Sequence, residues 1–157
     1  MGVAGCGKTT IGKALAAKLE WDFYDADEFH TPEGIAKMGS GIPLNDDDRA
    51  PWLASLHTLI STCLKENKHG VLACSALKES YRQKLLSGNQ GVLIVYLKGD
   101  YALIWARMIA RSGHYMKPEM LRSQYDVLEE PMNGLVVDVS LPVDEIVTQI
   151  LECTEVR

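Results

Sequence analysis

Gly2-Val3-Ala4-Gly5-Cys6-Gly7-Lys8-Thr9 is the stretch on which the fold turns. Its spacing, two glycines five apart followed by lysine and a hydroxyl residue, is that of a loop whose backbone N–H groups curl around phosphate oxygens. It runs straight into residues 8–19, where Ile11, Leu15 and Leu19 recur at four-residue steps, the stripe of a helix with one buried face. The helix N-terminus adds partial positive charge to the amides of the loop. Gly2, Val3, Ala4, Gly5, Cys6, Gly7, Lys8, Thr9 and Thr10 are therefore the expected nucleotide cradle. Lys8 is expected on the β- and γ-phosphates and the Thr9 hydroxyl on Mg²⁺. An ATP or GTP site is therefore expected.

Working outward, helix and strand signals alternate to the end of the chain without repeats or a Pro/Gly/Ser-rich linker, so residues 1–157 are expected to form a single α/β domain. Short strands are expected at 21–27, 70–74, 92–97 and 135–139. Helices are expected at 52–64, 78–86 and 101–111, again from about Pro118, and after Pro142. The stretch Thr31 to Pro43 is expected to be a Gly- and Pro-containing connection. Strands this short, apolar on both faces and separated by helices, predict a parallel sheet covered on both sides.

The chain has 157 residues, 46% of them hydrophobic, and a net charge of −5, within the range of one globular domain and against a general nucleic-acid binder. Val92 to Leu97, the longest apolar run, falls far short of a membrane span, and no targeting segment is evident. A cytoplasmic setting is the expectation. Cys6, Cys63, Cys74 and Cys153 are scattered without a C-x-x-C pair, so reduced thiols are expected rather than a zinc site or a disulfide framework.

Asp25 and Asp27 stand at the end of the second expected strand, where alternate residues point the same way and ligands of open α/β sheets bind. One carboxylate of the pair suits a water on the metal and the other proton acceptance from an attacking hydroxyl. Asp25 is a candidate metal residue beside Thr9. Asn45 to Asp48 reads as a helix cap. Lys78 and Arg82, four apart, are expected to share a helix face toward an anionic substrate. Arg107 and Arg111 lead into residues 112–118, a candidate lid, where arginines would neutralise charge on the transferred group.

Several segments together resemble the small P-loop gluconokinases, relatives of the shikimate kinases. They are residues 1–9, Phe23-Tyr-Asp-Ala-Asp-Glu-Phe-His30, the run from Lys37 to Leu53 with its Pro-Leu-Asn-Asp-Asp-Asp-Arg core, Ala73-Cys-Ser-Ala-Leu-Lys78, Tyr81-Arg82, residues 96–100, Gly113-His-Tyr-Met116 and residues 124–131. The resemblance implies a three-layer αβα P-loop kinase with a parallel sheet of order 2-3-1-4-5. It implies transfer of the ATP γ-phosphoryl group to the 6-hydroxyl of D-gluconate, with Mg²⁺ as cofactor and a possible homodimer. Asp27 becomes the base, and His30, Arg49, Lys78, Arg82 and His114 line the sugar-acid pocket, Arg49 and Arg82 facing the carboxylate. Arg107 falls to the nucleotide and Arg111 to transition-state charge. In relatives an apolar strand leads into Met-Gly-Val, whereas Met1 opens this chain, so the central strand is expected to be absent. A shikimate- or nucleotide-kinase-like enzyme, and a non-catalytic form, stand as alternatives.

Overall fold

The computed structural model describes residues 1–110 and 118–154. The elements are α1 (Lys8–Leu19), β1 (Asp22–Asp25), a 3₁₀ turn (Ala26–Phe29), α2 (Pro32–Gly39), α3 (Asp46–Lys65), β2 (Gly70–Ala73), α4 (Glu79–Leu86), β3 (Val95–Lys98), α5 (Tyr101–Ala110), α6 (Pro118–Val127), β4 (Leu135–Asp138) and α7 (Val143–Thr154). The expected alternation is present, with two differences. The acidic end of the first strand is a 3₁₀ turn, because the Asp25 carboxylate accepts the Asp27 N–H and curls the chain out of the sheet. Part of the expected connection at 31–43 is helical. Thr31 caps α2 by accepting the Gly34 N–H, and Pro32 takes the first helical turn, where its missing donor costs nothing.

β1 pairs in parallel with β2, Asp22 opposite Gly70, and β3 pairs in parallel with β4, Val95 opposite Leu135. Among the described residues these two pairs are not joined to each other by a strand. What lies between them is Met1–Gly2. The Met1 amine donates to the Val95 carbonyl, the Leu97 N–H donates to the Met1 carbonyl at 2.9 Å, and the Gly2 N–H donates to the Ser75 carbonyl at 3.3 Å. The order expected from the resemblance is thus kept. Its central position is held, over two residues, by the segment that opens the glycine loop.

Helices cover both faces. Val71 of β2 meets α1 at Gly12, where an added Cβ would also strike Phe23 at 2.8 Å. The next residue, Leu72, packs instead with Trp52, Leu53 and Leu56 of α3 and Leu85 of α4. Since neighbouring strand residues point to opposite faces, α1 lies on one side of the sheet and α3 with α4 on the other. A second cluster surrounds β3 and β4 and joins Cys6, Ile104, Leu121, Val137 and Ile146. Cys6 and Cys74 are buried, Cys63 is half-buried and Cys153 is exposed, and all four are free thiols. Among the described residues no helix is long and apolar enough to cross a membrane.

Leu56 is fully buried at the α3–α4 contact. Leu56→Ala is expected to cost about 2–5 kcal/mol, through lost transfer energy and the cavity left behind. Urea unfolding monitored by circular dichroism measures it, and a loss under 1 kcal/mol would show that the α3 layer does not pack as described.

Candidate active site

The glycine loop sits at the carboxyl edge of the strands. Gly5 has φ 78°, and a Cβ there would lie 2.7 Å from Met108 Cγ on α5, so both backbone conformation and space restrict the position to glycine. Gly7, at φ 99°, is the N-cap of α1. It supplies no side-chain cap, and the first turn holds no acidic residue. The first amides of α1 therefore keep their capacity for an anion. Lys8 folds back, its Nζ donating to the Val3 carbonyl at 2.9 Å. One loop amide is already engaged, as Ala4 N–H donates to Gln124 Oε1 of α6 at 2.7 Å.

Two predicted metal residues meet here. The Thr9 hydroxyl donates to the Asp25 carboxylate at 3.0 Å, tying the first turn of α1 to the end of β1. Both are hard oxygen donors, the set that suits Mg²⁺ when phosphate oxygens complete the shell. Among the described residues no group of three or more His, Cys, Asp or Glu side chains is arranged to hold a metal alone.

Asp27 and His30 also come together, but not by strand alternation. Asp27 lies in the 3₁₀ turn with its side chain 90% exposed, 3.9 Å from His30 Nε2. His30 is stacked on Trp52, ring centroids 4.8 Å apart and 8° from parallel. Trp52 in turn donates its indole N–H to the Ala26 carbonyl at 2.7 Å, which fixes the turn carrying Asp27. Burial pushes the His30 pKa below its usual value; the Asp27 charge opposes this and Arg49 reinforces it.

Arg49 and Lys78 converge on one aromatic ring. Arg49 lies over Tyr81 at 5.6 Å from the ring centroid while its Nε donates to the Leu44 carbonyl, and Lys78 lies over the same ring at 5.3 Å. Asp46 joins them, accepting from Lys78 at 3.1 Å and from the Tyr81 hydroxyl. These donors hold the Asp46 carboxyl below the usual range, Tyr81 contributing most.

Lys78 and Arg82 do not share a helix face. Lys78 is the N-cap of α4 in extended conformation, outside the helix proper. Arg82 points inward and is 3% exposed. Its guanidinium donates to Glu79 at 2.6 Å and to the carbonyls of Ala76 and Leu77 at 2.9 and 3.1 Å, so its donors are occupied within the protein. Arg107 is half-buried on α5 and near enough to the Asp138 carboxylate to favour its charged form. Arg111, His114 and nearly all of the candidate lid lie outside the described residues.

Four contributors escaped the sequence reading. Asp46 and Tyr81 looked like a cap and a helix residue, and only the fold brings them to Lys78. Asp46 to Asp48 do cap α3, through a box between Asn45 and Asp48, and Asp48 also pairs with Lys37. Trp52 reads as an apolar stripe position, and Gln124 stood only at the edge of a family-like segment, without an assigned role.

The shikimate kinase family model matches residues 4–155. A probable gluconokinase of Rattus norvegicus is 43% identical over 97% of this chain and 94% of its own length. The thermoresistant gluconokinase of Escherichia coli is 42% identical over 97% of this chain and 89% of its own. Among solved structures, a gluconokinase from Sinorhizobium meliloti superposes with a TM-score of 0.86 at 41% identity, covering 97% of this chain and 87% of that one.

The contact between His30 and Asp27 is open to direct measurement. In a proton NMR titration His30 is expected to titrate below 6.5, and Asp27→Asn is expected to lower its midpoint further by removing the nearby negative charge. Because the folded-state value is depressed, the stability His30 contributes is complete above about 6.5 and is lost as pH falls below it. A midpoint at or above 6.5, or one that Asp27→Asn raises, would contradict the geometry.

Sequence match, sheet order and the glycine loop seated on α1 agree: the chain belongs to the shikimate kinase family of P-loop kinases and stands with its gluconokinases.

Proposed function

We propose that this chain is an ATP-dependent gluconokinase that transfers the γ-phosphoryl group to the 6-hydroxyl of D-gluconate, giving 6-phospho-D-gluconate and ADP. The observation that carries the site reading is the Thr9–Asp25 hydrogen bond. It joins the phosphate-binding half, Gly2 to Thr10, to the turn that carries the candidate acceptor residues. Identity of 42–43% to gluconokinases across nearly the whole chain favours gluconate over shikimate or a nucleotide.

In this reading the amides of the loop and α1 bind the triphosphate, and Lys8 leaves the Val3 carbonyl for the phosphate oxygens. Thr9, with Asp25 behind it, would hold Mg²⁺, which when bound would supply charge neutralisation at the phosphates. Asp27 accepts the proton of the gluconate hydroxyl as its oxygen bonds to the γ-phosphorus, while the bond from that phosphorus to the β,γ-bridging oxygen breaks and ADP departs. His30, neutral and held flat against Trp52, borders the acceptor beside Asp27. Arg49 and Lys78 face the sugar acid, with the guanidinium of Arg49 taking its carboxylate through paired hydrogen bonds. Arg82 has a different part: with its donors committed to Glu79, Ala76 and Leu77, it positions the turn that presents Lys78. Arg107 belongs to the nucleotide side, and Arg111 and His114 to the closing segment at 112–118. One kinase domain over 1–157, a cytoplasmic setting and association as a homodimer complete the reading.

A coupled ADP-release assay over gluconate, other sugar acids, shikimate and nucleoside monophosphates tests it. Gluconate is expected to be the preferred acceptor, Lys8→Ala to abolish turnover, and Asp27→Asn to lower kcat about 10²–10⁴-fold with little change in ATP affinity. Preference for shikimate, or normal kcat in Asp27→Asn, would overturn the substrate or the base assignment respectively.

A further inference from the structure

The turn that delivers Lys78 to the acceptor half of the site does not hold itself. Lys78 is the N-cap of α4, and a lysine side chain has no oxygen with which to cap a helix. Its Nζ is turned instead toward Asp46 and over the Tyr81 ring. Two residues earlier Ala76 has φ 42°, a left-handed conformation that costs a residue with a Cβ and persists only where neighbours impose it. From inside, Arg82 bonds the Ala76 and Leu77 carbonyls.

The outer support is Glu129, 50 positions beyond Glu79 in the chain. Its N–H donates to the Leu77 carbonyl at 2.9 Å, and its carboxylate accepts from the Glu79 N–H at 2.6 Å. One residue thus bonds the main chain immediately before and immediately after Lys78. The carboxylate does for α4 what the Lys78 side chain cannot, satisfying an amide of the first turn with negative charge at the positive end of the helix. Glu79 is then fixed twice, since its own carboxylate accepts from Arg82.

Glu129 has a frame of its own. In the last turn of α6 the Tyr125 hydroxyl donates to the Gly99 carbonyl at 2.8 Å, and Glu130 pairs with Lys98 at 2.8 Å, so the chain on either side of Glu129 is fastened to the end of β3. Leu128 packs against the apolar cluster that contains Leu77. The bracket on Lys78 is therefore referred to the sheet and not to another loop.

We propose that Glu129 is a positioning residue for the acceptor: by bracketing Lys78 it sets the point from which Nζ meets the sugar acid, without touching the substrate itself. This rests on the acceptor reading of Lys78 given above. Before the acceptor arrives, Asp46 steadies the ammonium group. Once the acceptor takes that place, the main chain around Lys78 and the Tyr81 ring are what remain to aim it. The effect falls on acceptor binding, and the phosphoryl-transfer step and the nucleotide are left alone.

The test compares Glu129→Ala, Glu129→Gln, Lys78→Ala and the Lys78→Ala/Glu129→Ala pair in the 157-residue chain. Kinetics use the acceptor that the ADP-release assay finds preferred, so failure of gluconate itself does not mask the result. Glu129→Ala is expected to raise the acceptor KM about tenfold, with kcat and the KM for ATP within about twofold of the parent. Glu129→Gln, whose side-chain oxygen still accepts from Glu79, is expected to stay within about threefold. On the Lys78→Ala background Glu129→Ala is expected to add less than about twofold, because its effect passes through the ammonium group already removed. Amide hydrogen exchange of the ligand-free chain reads the bracket alone: Glu79 is expected to be protected, and Glu129→Ala to speed its exchange about tenfold. A Glu79 amide that is unprotected, or indifferent to Glu129→Ala, would overturn the bracket whatever the acceptor. A KM effect that persists without Lys78, a matching loss in kcat and both KM values, or Glu129→Gln as damaging as Glu129→Ala would overturn the positioning role.

Discussion

Everything functional in this molecule hangs from three main-chain hydrogen bonds. Met1 is bracketed by Val95 and Leu97, and Gly2 by Ser75, so the start of the glycine loop is pinned between the two strand pairs. The loop then rises over the carboxyl edge of the sheet with Gly5 against Met108, and it reaches α1 with its cradle already curved. Remove that pinning and the loop keeps its sequence but loses its bearing relative to β1 and the 3₁₀ turn, which present Asp25 and Asp27. Position, more than composition, converts a glycine-rich turn into an anion site.

The site divides into a rigid and a poised half. Trp52 ties itself to the 3₁₀ turn and to His30 at once, so the ring and the turn share one support from α3. Asp46, Lys78, Tyr81 and Arg49 form a closed set of contacts in which cations already have partners. On the proposed reading, a sugar acid entering here would exchange one set of polar contacts for another, with Asp46 the partner it must replace. Lys8 is in a similar state, resting on the Val3 carbonyl of its own loop, from which the proposed reading has phosphate draw it.

The parts that were legible in the sequence are those with local causes. The glycine loop, α1, the capped start of α3 and the strand order follow from spacing, capping chemistry and a resemblance that extends along the chain. Thr9 and Asp25, both expected near the metal, lie within hydrogen-bond distance because both sit at strand or helix ends on one edge of a parallel sheet. The misreadings share a different cause. Arg82 has the right spacing from Lys78 for a common helix face, but Lys78 precedes the helix and Arg82 faces its interior, a distinction that depends on where α4 begins by one residue. The helix at Pro32–Gly39 was hidden because proline and glycine read as breakers unless Thr31 is recognised as a cap. Tyr81, Asp46 and Gln124 act across long sequence separations, and nothing near them in the chain announces their partners.

The Gln124 contact has a wider meaning. Its amide oxygen accepts from the Ala4 N–H 120 positions earlier in the chain, so α6 holds a stake in the conformation of the glycine loop. Thermodynamic linkage makes such a stake mutual. An anion that draws Ala4 to itself releases α6, and a change that strengthens the grip of α6 weakens the cradle by an equal free energy. On the proposed reading, α6 is thereby linked to nucleotide occupancy through a single side chain, with no need for rearrangement of the sheet beneath it.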